Sequence, residues 1–146
     1  MQGQEFLIQA ITESIPPEET PDTIKHLSRT SLIQIGAYPA VIVEEEPYDF
    51  NQDTGHSDIL LRKEKCSLAI IVESVNVNEM TEATYTVVKG KLKDLTDDVI
   101  AAILEKVPNF NKVSNIRLGT GEVYDGVIGS VPVMWNLIPV EVILVN

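Results

Sequence analysis

The chain has 146 residues, a hydrophobic fraction of 44% and a formal net charge of −11 at pH 7. This length suffices for one domain with its own core, and the hydrophobic fraction argues against general disorder. The acidity argues against binding to a phosphate backbone, which requires clustered lysine and arginine. The charge is also uneven: residues 1–59 contain eleven acidic residues against Lys25 and Arg29, a formal charge of −9.

Targeting signals, disulfides and metal sites find little support in the sequence. No apolar run reaches the roughly 18–20 residues that cross a bilayer, and "MQGQEFLIQAITES" lacks the basic start and apolar block of a signal peptide. We therefore expect a chain made in the cytosol, with no membrane partner. Cys66, the only cysteine, excludes an intrachain disulfide, and with His26 and His56 it provides too few ligands for the common zinc sites. We expect no metal and no cofactor, and the apolar stretch "KCSLAIIV" predicts an inert, buried Cys66.

The first half of the chain predicts a helix followed by a β-hairpin. Apolar residues recur at helical spacing over 4–15, whereas 20–31 has a helix start signal but few apolar residues and predicts at most a short helix. Residues 32–46 are rich in β-branched residues and predict a strand. Residues 47–58 predict a polar loop. Residues 59–76 predict a long strand that pairs with the first across this loop.

The second half predicts a helix between β-strands. Residues 84–92 predict a short strand or an extended lead-in, and 94–107 predict a helix capped by Asp94 or Thr96 and ended by Pro108. After it we expect turns at Gly119–Gly121, Gly126 and Gly129, and a long apolar strand over 131–145. The fold class is therefore α+β, a mainly antiparallel sheet with one long hairpin, packed by an N-terminal helix and a central helix in a single domain over 1–146.

No motif in the sequence indicates catalysis. His26 and His56 lack a recognisable nucleophile nearby, and three consecutive glutamates, Glu44 to Glu46, alternate across a strand and do not converge on one point. The loop that begins at Asp49 starts like a calcium-binding loop but lacks its central glycine and final glutamate. Trp135 lies on an apolar strand, where a role as core residue or subunit-contact anchor is favoured over a ligand platform.

Four stretches in this order resemble the tail terminator, or tail completion, proteins of long-tailed bacteriophages. They are "YPAVIVEEEPYDF", "LLRKEKCSLAIIVES", "TDDVIAAILEKV" and the closing "IRLGTGEVYDGVIGSVPVMWNLIPVEVILVN", all preceded by an opening helix. The resemblance covers nearly the whole chain through element order and local patterns. It implies a tail-terminator-like fold and a structural virion protein without catalytic activity, assembled in the host cytoplasm and located at the neck of the tail.

The resemblance also implies partners. Such proteins form hexameric rings that cap the tail tube, end its polymerisation and join it to a head-closure or neck protein, while DNA passes through the ring without tight binding. An acidic lumen would let DNA slide by repelling its phosphates. The candidate lumen or rim residues are Glu44, Glu45, Glu46, Asp49, Asp53 and Asp58.

Three alternatives stay open at this point. The chain could be a head-closure (stopper) protein or another component of the neck or tail tube. It could also be a small cytosolic enzyme or ligand-binding module, which would require a deep pocket that contains His26 or His56 beside a carboxylate. Finally, the glutamates of 44–46 could pair with basic residues of the next strand, namely Arg62, Lys63 and Lys65.

Overall fold

The computed structural model describes residues 2–46 and 61–145, and over these ranges the chain folds into two α-helices and a mostly antiparallel sheet of six strands. The mixed α+β content predicted from the sequence is therefore confirmed. The helices are α1 (Gln2–Ser14) and α2 (Glu82–Lys106). The strands are β1 (His26–Ser28), β2 (Ala40–Glu45), β3 (Leu61–Glu73), β4 (Val113–Leu118), β5 (Glu122–Ile128) and β6 (Val131–Val145).

The sheet has the order β1-β2-β3-β6-β4, and β5 pairs with the part of β6 that β4 leaves free. The predicted hairpin is confirmed, since β2 and β3 run antiparallel from the pair Ala40–Ile71 to the pair Glu45–Cys66. Strand β1 is parallel to β2. The long strands β3 and β6 pair over their whole shared length and form the centre of the sheet.

Pro139 lies inside the central strand β6, where a missing N–H would normally break a ladder. The amide of Ser74 donates to the Pro132 carbonyl across the β3–β6 ladder, so the even-numbered residues of β6 direct their backbone groups toward β3. Pro139 therefore faces the other side, where its carbonyl accepts a hydrogen bond from the Gly119 amide at 2.8 Å. The proline stands where the partner of β6 changes from β5 to β4, so no strand-to-strand hydrogen bond is lost.

Helix α1 matches its prediction to within two residues, but α2 is much longer than expected. The predicted strand over 84–92 is wrong, because these residues form the first half of α2. Val88 and Leu92 extend the buried stripe of Val99 and Ile103 at helical spacing, and this packing overrides the strand preference of "YTVV". The helix is capped by Thr81, whose Oγ1 accepts from the Thr84 amide at 3.1 Å, and not by Asp94 or Thr96.

Three further expectations for the strands and turns are corrected. Residues 20–31 contain no helix and instead supply β1, because Leu27 pairs with Val41 and packs against the main core. The strand predicted over 32–46 is confined to β2, and a cis peptide bond joins Tyr38 to Pro39 just before it. The predicted turn at Gly126 is wrong, since this residue pairs with Val133 within the β5–β6 ladder. The loop predicted over 47–58 lies outside the described residues.

Both helices pack on the same face of the sheet, and this face carries the main core. Leu7 and Ile11 of α1 and Ile103 of α2 are fully buried there against Leu68 and Ile70 of β3. The opposite face, which we call the open face, has a smaller buried cluster of Ala40, Ile42, Ile71 and Val133. Ile35 and Tyr38, from the segment that connects β1 to β2, pack against this smaller cluster.

Candidate assembly surfaces

The glutamates of 44–46 mark the end of β2 and point in different directions. Glu44 continues the open-face series of Ala40 and Ile42, whereas Glu45 lies on the helix side of the strand. The carboxylate of Glu44 accepts hydrogen bonds from the Ser31 amide at 2.7 Å and from the Ser31 hydroxyl. These bonds, the backbone one above all, lower the pKa of Glu44. Glu44 therefore holds the segment after β1 against the end of β2.

The basic residues at the start of β3 are engaged differently from the cross-strand pairing that the sequence suggested. Arg62 lies with its Nε atom 3.7 Å from Glu64 and donates from Nη2 to Gln2 at 3.0 Å. Lys65 contacts the acidic stretch through its backbone, since its carbonyl accepts from the Glu46 amide. Asp49, Asp53 and Asp58 lie outside the described residues, so the lumen or rim assignment of the six acidic residues stays a prediction.

Glu64 also stabilises α1. Its Oε1 atom accepts a hydrogen bond of 2.6 Å from the Gly3 amide in the first turn of the helix, where free N–H groups favour a negative charge. Gln4, one residue further on, is a buried polar side chain. Its amide group donates to the carbonyls of Val43 and Arg29, at 2.8 and 3.1 Å. These contacts connect α1 to β2 and to the segment after β1. No local pattern indicates them, because Gln4 lies outside any apolar periodicity.

Trp135 lies on the open face, half-buried beside the smaller cluster. Its ring stacks on Tyr124, the residue opposite it on β5, with ring centroids 5.6 Å apart and an interplanar angle of 24°. A stacked aromatic pair of this kind contributes about 0.5–1.5 kcal/mol beyond its buried area. Trp135 thus anchors β5 to the sheet, and a contact with another subunit stays a prediction.

Strand β5 is exposed along its whole length. None of its residues is buried, and its large exposed apolar side chains are Val123, Tyr124, Val127 and Ile128. A two-residue turn at Gly129 and Ser130 joins β5 to β6. Gly129 has a φ of +62°, and no other residue in the described part of the chain has a positive φ. This pattern indicates a type II′ turn, which places Ile128 and Val131 in a hydrogen-bonded pair. An exposed apolar edge strand of this kind is a typical site for pairing with another chain.

The sheet's opposite edge, at β1, forms the floor of a groove of about 530 Å³. Ile8 and Thr12 of α1, with Ile15 just after the helix, form one wall, and Ile33 forms part of the other. His26 also lines the groove, and its Nε2 atom is buried without a hydrogen-bond partner in the described part of the chain. No carboxylate is among the lining residues that the structure describes, so this groove lacks the pairing of His26 with an acid that an enzymatic site would need.

A second cleft, of about 550 Å³, lies between the middle of α2 and the segment that precedes β1. Its charged lining residues are Asp22, Lys25, Glu73, Lys91, Asp94 and Asp98. Among the residues described, no histidine, cysteine or serine lines it, so it contains no Ser–His or Cys–His pair. Over the same ranges, no group of three or more potential ligands could hold a metal ion.

Cys66 is fully buried in β3, as the sequence predicted. Burial, and then the nearby carboxylates of Glu45 and Glu64, raise the pKa of its thiol from 9.0 to about 12. Because the folded pKa is the higher one, the thiol's contribution to stability is present below pH 9 and is lost as the pH rises toward 12.

We expect the Cys66 thiol to react with iodoacetamide at pH 8 at least about 100-fold more slowly in the folded chain than in guanidinium chloride, because the thiolate is the nucleophile. Mass spectrometry of quenched samples measures the two rates, and Cys66→Ser provides the unreactive control. Equal rates in the two states would show that the thiol is accessible and ionises normally.

No family model matches this chain, and no curated protein matches it. Neither α1 nor α2 is long and apolar enough to serve as a membrane span, and the search covered only the residues described here. The surfaces themselves therefore provide the evidence on function.

Proposed function

We propose that this protein is a ring-forming structural component of a phage neck, of the tail-terminator type. In this role it caps the tail tube, ends its polymerisation and joins it to a head-closure protein. The observation that carries the proposal is the one-sided sheet. Both helices cover one face, whereas β5 presents exposed Val123 and Val127 at one edge and β1 borders an apolar groove at the other. A subunit with two unlike, uncovered edges is suited to assembly with copies of itself.

The net charge supports the same proposal. Six copies at −11 each would carry a formal charge of −66. Acidic residues at a lumen repel phosphates over about the Debye length, roughly 8–10 Å at physiological salt, and so permit DNA to pass without being held. The rim residues of this proposal are the glutamates at the end of β2, with Glu44 bound to Ser31, together with Asp49, Asp53 and Asp58, which lie outside the described residues.

The proposal is tested by adding the purified chain to a tail-tube protein from the same virus while the tube protein polymerises. Electron microscopy measures tube length, and sedimentation measures the mass of the free chain. We expect tubes that stop growing, with a ring of this protein at one end. A chain that stays monomeric and leaves tube length unchanged would contradict the proposal.

The same images separate the nearest alternative. A head-closure or stopper protein would bind the portal side of the neck and leave bare tube ends unoccupied. If a reconstructed virion shows the ring on the portal side, the protein closes the head and does not cap the tube, and the proposal of ring assembly still holds.

A further inference from the structure

We propose that the β5 edge of one copy docks into the β1 groove of the next copy, so that the sheet continues from subunit to subunit. This inference rests on the proposed function, because it identifies the contact by which the ring would form. It commits to one partner, a second copy of this chain, and to one pair of surfaces: the outer edge of β5 and the groove whose floor is β1.

The β5 edge offers free backbone groups and apolar side chains. Because Ile128 and Val131 flank the two-residue turn as a hydrogen-bonded pair, the alternating residues Val123, Asp125 and Val127 direct their N–H and C=O groups away from β6. Val127 is 63% exposed and Val123 is 48% exposed. A second strand could pair there without disturbing the β5–β6 ladder.

The β1 edge offers the complementary backbone groups inside an apolar groove. The Glu46 amide donates to the Lys65 carbonyl, so alternation along β2 directs the backbone groups of Val41 toward β1. Because Leu27 lies opposite Val41 in the parallel β1–β2 register, the N–H and C=O groups of Leu27 face away from β2. The walls on either side are apolar: Ile8 of α1 and Ile15 just after it on one side, and Ile33 of the segment after β1 on the other. The groove thus has a strand edge as its floor and apolar walls on both sides, which is the arrangement that accepts an added strand.

Charge complementarity argues that these two edges meet each other. Strand β5 carries Glu122 and Asp125 and no basic residue. The Tyr124 hydroxyl donates a hydrogen bond to the Glu122 carboxylate, and this bond and the charge of the carboxylate raise the pKa of Tyr124. The groove at β1 is lined by Lys25 and Arg29, the basic residues of the otherwise acidic segment 1–59. Arg29 already pairs with Glu5 of α1 at 2.8 Å, so Lys25 is the basic group on which the attraction rests. An acidic edge and a basic edge on the same chain attract each other between copies.

The same charges oppose the symmetrical alternative. Antiparallel pairing of β5 with β5 of a second copy, centred on Asp125, would place the two Asp125 side chains opposite each other, and like charges across a ladder disfavour this arrangement. A contact between unlike edges is heterologous, and heterologous contacts close into rings or continue as filaments, whereas a self-complementary contact stops at a dimer. The edges thus favour a ring over a twofold dimer.

Charge reversal tests the contact in the full chain. We expect Lys25→Glu and Asp125→Lys to weaken self-association about tenfold each, and the double variant to recover most of the loss because the attraction is restored with the signs exchanged. Sedimentation equilibrium at several salt concentrations measures the association constants. Glu105→Lys is the matched control, since it changes the charge by the same amount on the exposed surface of α2 and should leave the association unchanged.

A backbone variant gives an independent readout. Val127→Pro removes an N–H that faces away from β6, so circular dichroism should show a folded chain while association is lost. Val127→Thr keeps the N–H and should associate like the parent chain. Loss of folding in Val127→Pro would leave the charge-reversal pair as the deciding measurement.

The outcomes separate this inference from the proposed function. Oligomers that keep their mass in both charge-reversal variants, and that still cap tubes, would overturn the edge contact and leave ring assembly intact. A dimer strengthened by Asp125→Asn, which removes the like charges, would instead show pairing of β5 with β5 and overturn the inference. A monomeric chain that leaves tubes uncapped would contradict both.

Discussion

Replacing Ile103 with alanine should lower the free energy of unfolding by about 3 kcal/mol, within the usual range of 2–5 kcal/mol for such core truncations. Ile103 lies in α2, is fully buried and packs in the main core against the sheet. Truncation removes apolar contact area and leaves a cavity between the helix and β3 or β6, which neighbouring side chains fill only in part. Urea unfolding followed by far-UV circular dichroism measures the change.

Leu104→Ala is the matched control for this truncation. Leu104 is the next residue of the same helix, and it is 48% exposed. We expect its replacement to change the free energy of unfolding by less than about 1 kcal/mol, since most surface substitutions lie within about 0.5 kcal/mol. Equal losses at the two positions would mean that α2 buries a wider face than the structure shows.

The contrast between Ile103 and Leu104 also shows how far periodicity identifies the core. The pattern of residues 94–107 assigns both residues to one apolar face, because each recurs at helical spacing from Val99 or Ile100. The large apolar residues of α2 that are buried form a narrower stripe, which consists of Val88, Leu92, Val99 and Ile103. Which part of a wide apolar face is buried depends on the rotation of the helix over the sheet, and the sequence does not encode that rotation locally.

Local sequence signals were most reliable where a strand is both long and apolar. The boundaries of β6 match the prediction of 131–145, and the β2–β3 hairpin follows from two apolar runs separated by a polar loop. The β1 strand was missed because it has three residues and exists only through its pairing with β2. The first half of α2 was missed because the burial of Val88 and Leu92 in the main core outweighs the strand preference of this stretch.

The candidate surfaces were predicted less completely than the fold. The acidic strand end was visible as a run of like charge, but Glu44 proves to be bound to Ser31, a contact across thirteen positions that no local pattern indicates. The exposed β5 edge had a usable signal, since "EVYDGVIGSVPV" contains two alternating runs around a glycine–serine pair. The groove at β1 had none, because α1, β1 and the segment after β1 build it together.

Gly119→Ala and Gly90→Ala make the same chemical change and should alter stability in opposite directions. Gly119 lies between β4 and β5, where its amide donates to the Pro139 carbonyl, and a Cβ atom there would stand 2.5 Å from Pro139 Cγ. The proline ring is held within the central strand and has little freedom to move. We therefore expect a loss of about 1–3 kcal/mol, the range for overpacking a tight contact.

Gly90 lies inside α2, and a Cβ atom there would meet nothing within 4 Å. Alanine at an exposed helical position lowers the conformational entropy of the unfolded chain and should add about 0.5–1 kcal/mol to the free energy of unfolding. Parallel urea titrations of the two variants and the parent chain measure both changes. A stabilised Gly119→Ala variant would show that β4, β5 and β6 do not approach one another as closely as described. A destabilised Gly90→Ala variant would instead contradict the continuous helix that replaces the strand expected over residues 84–92.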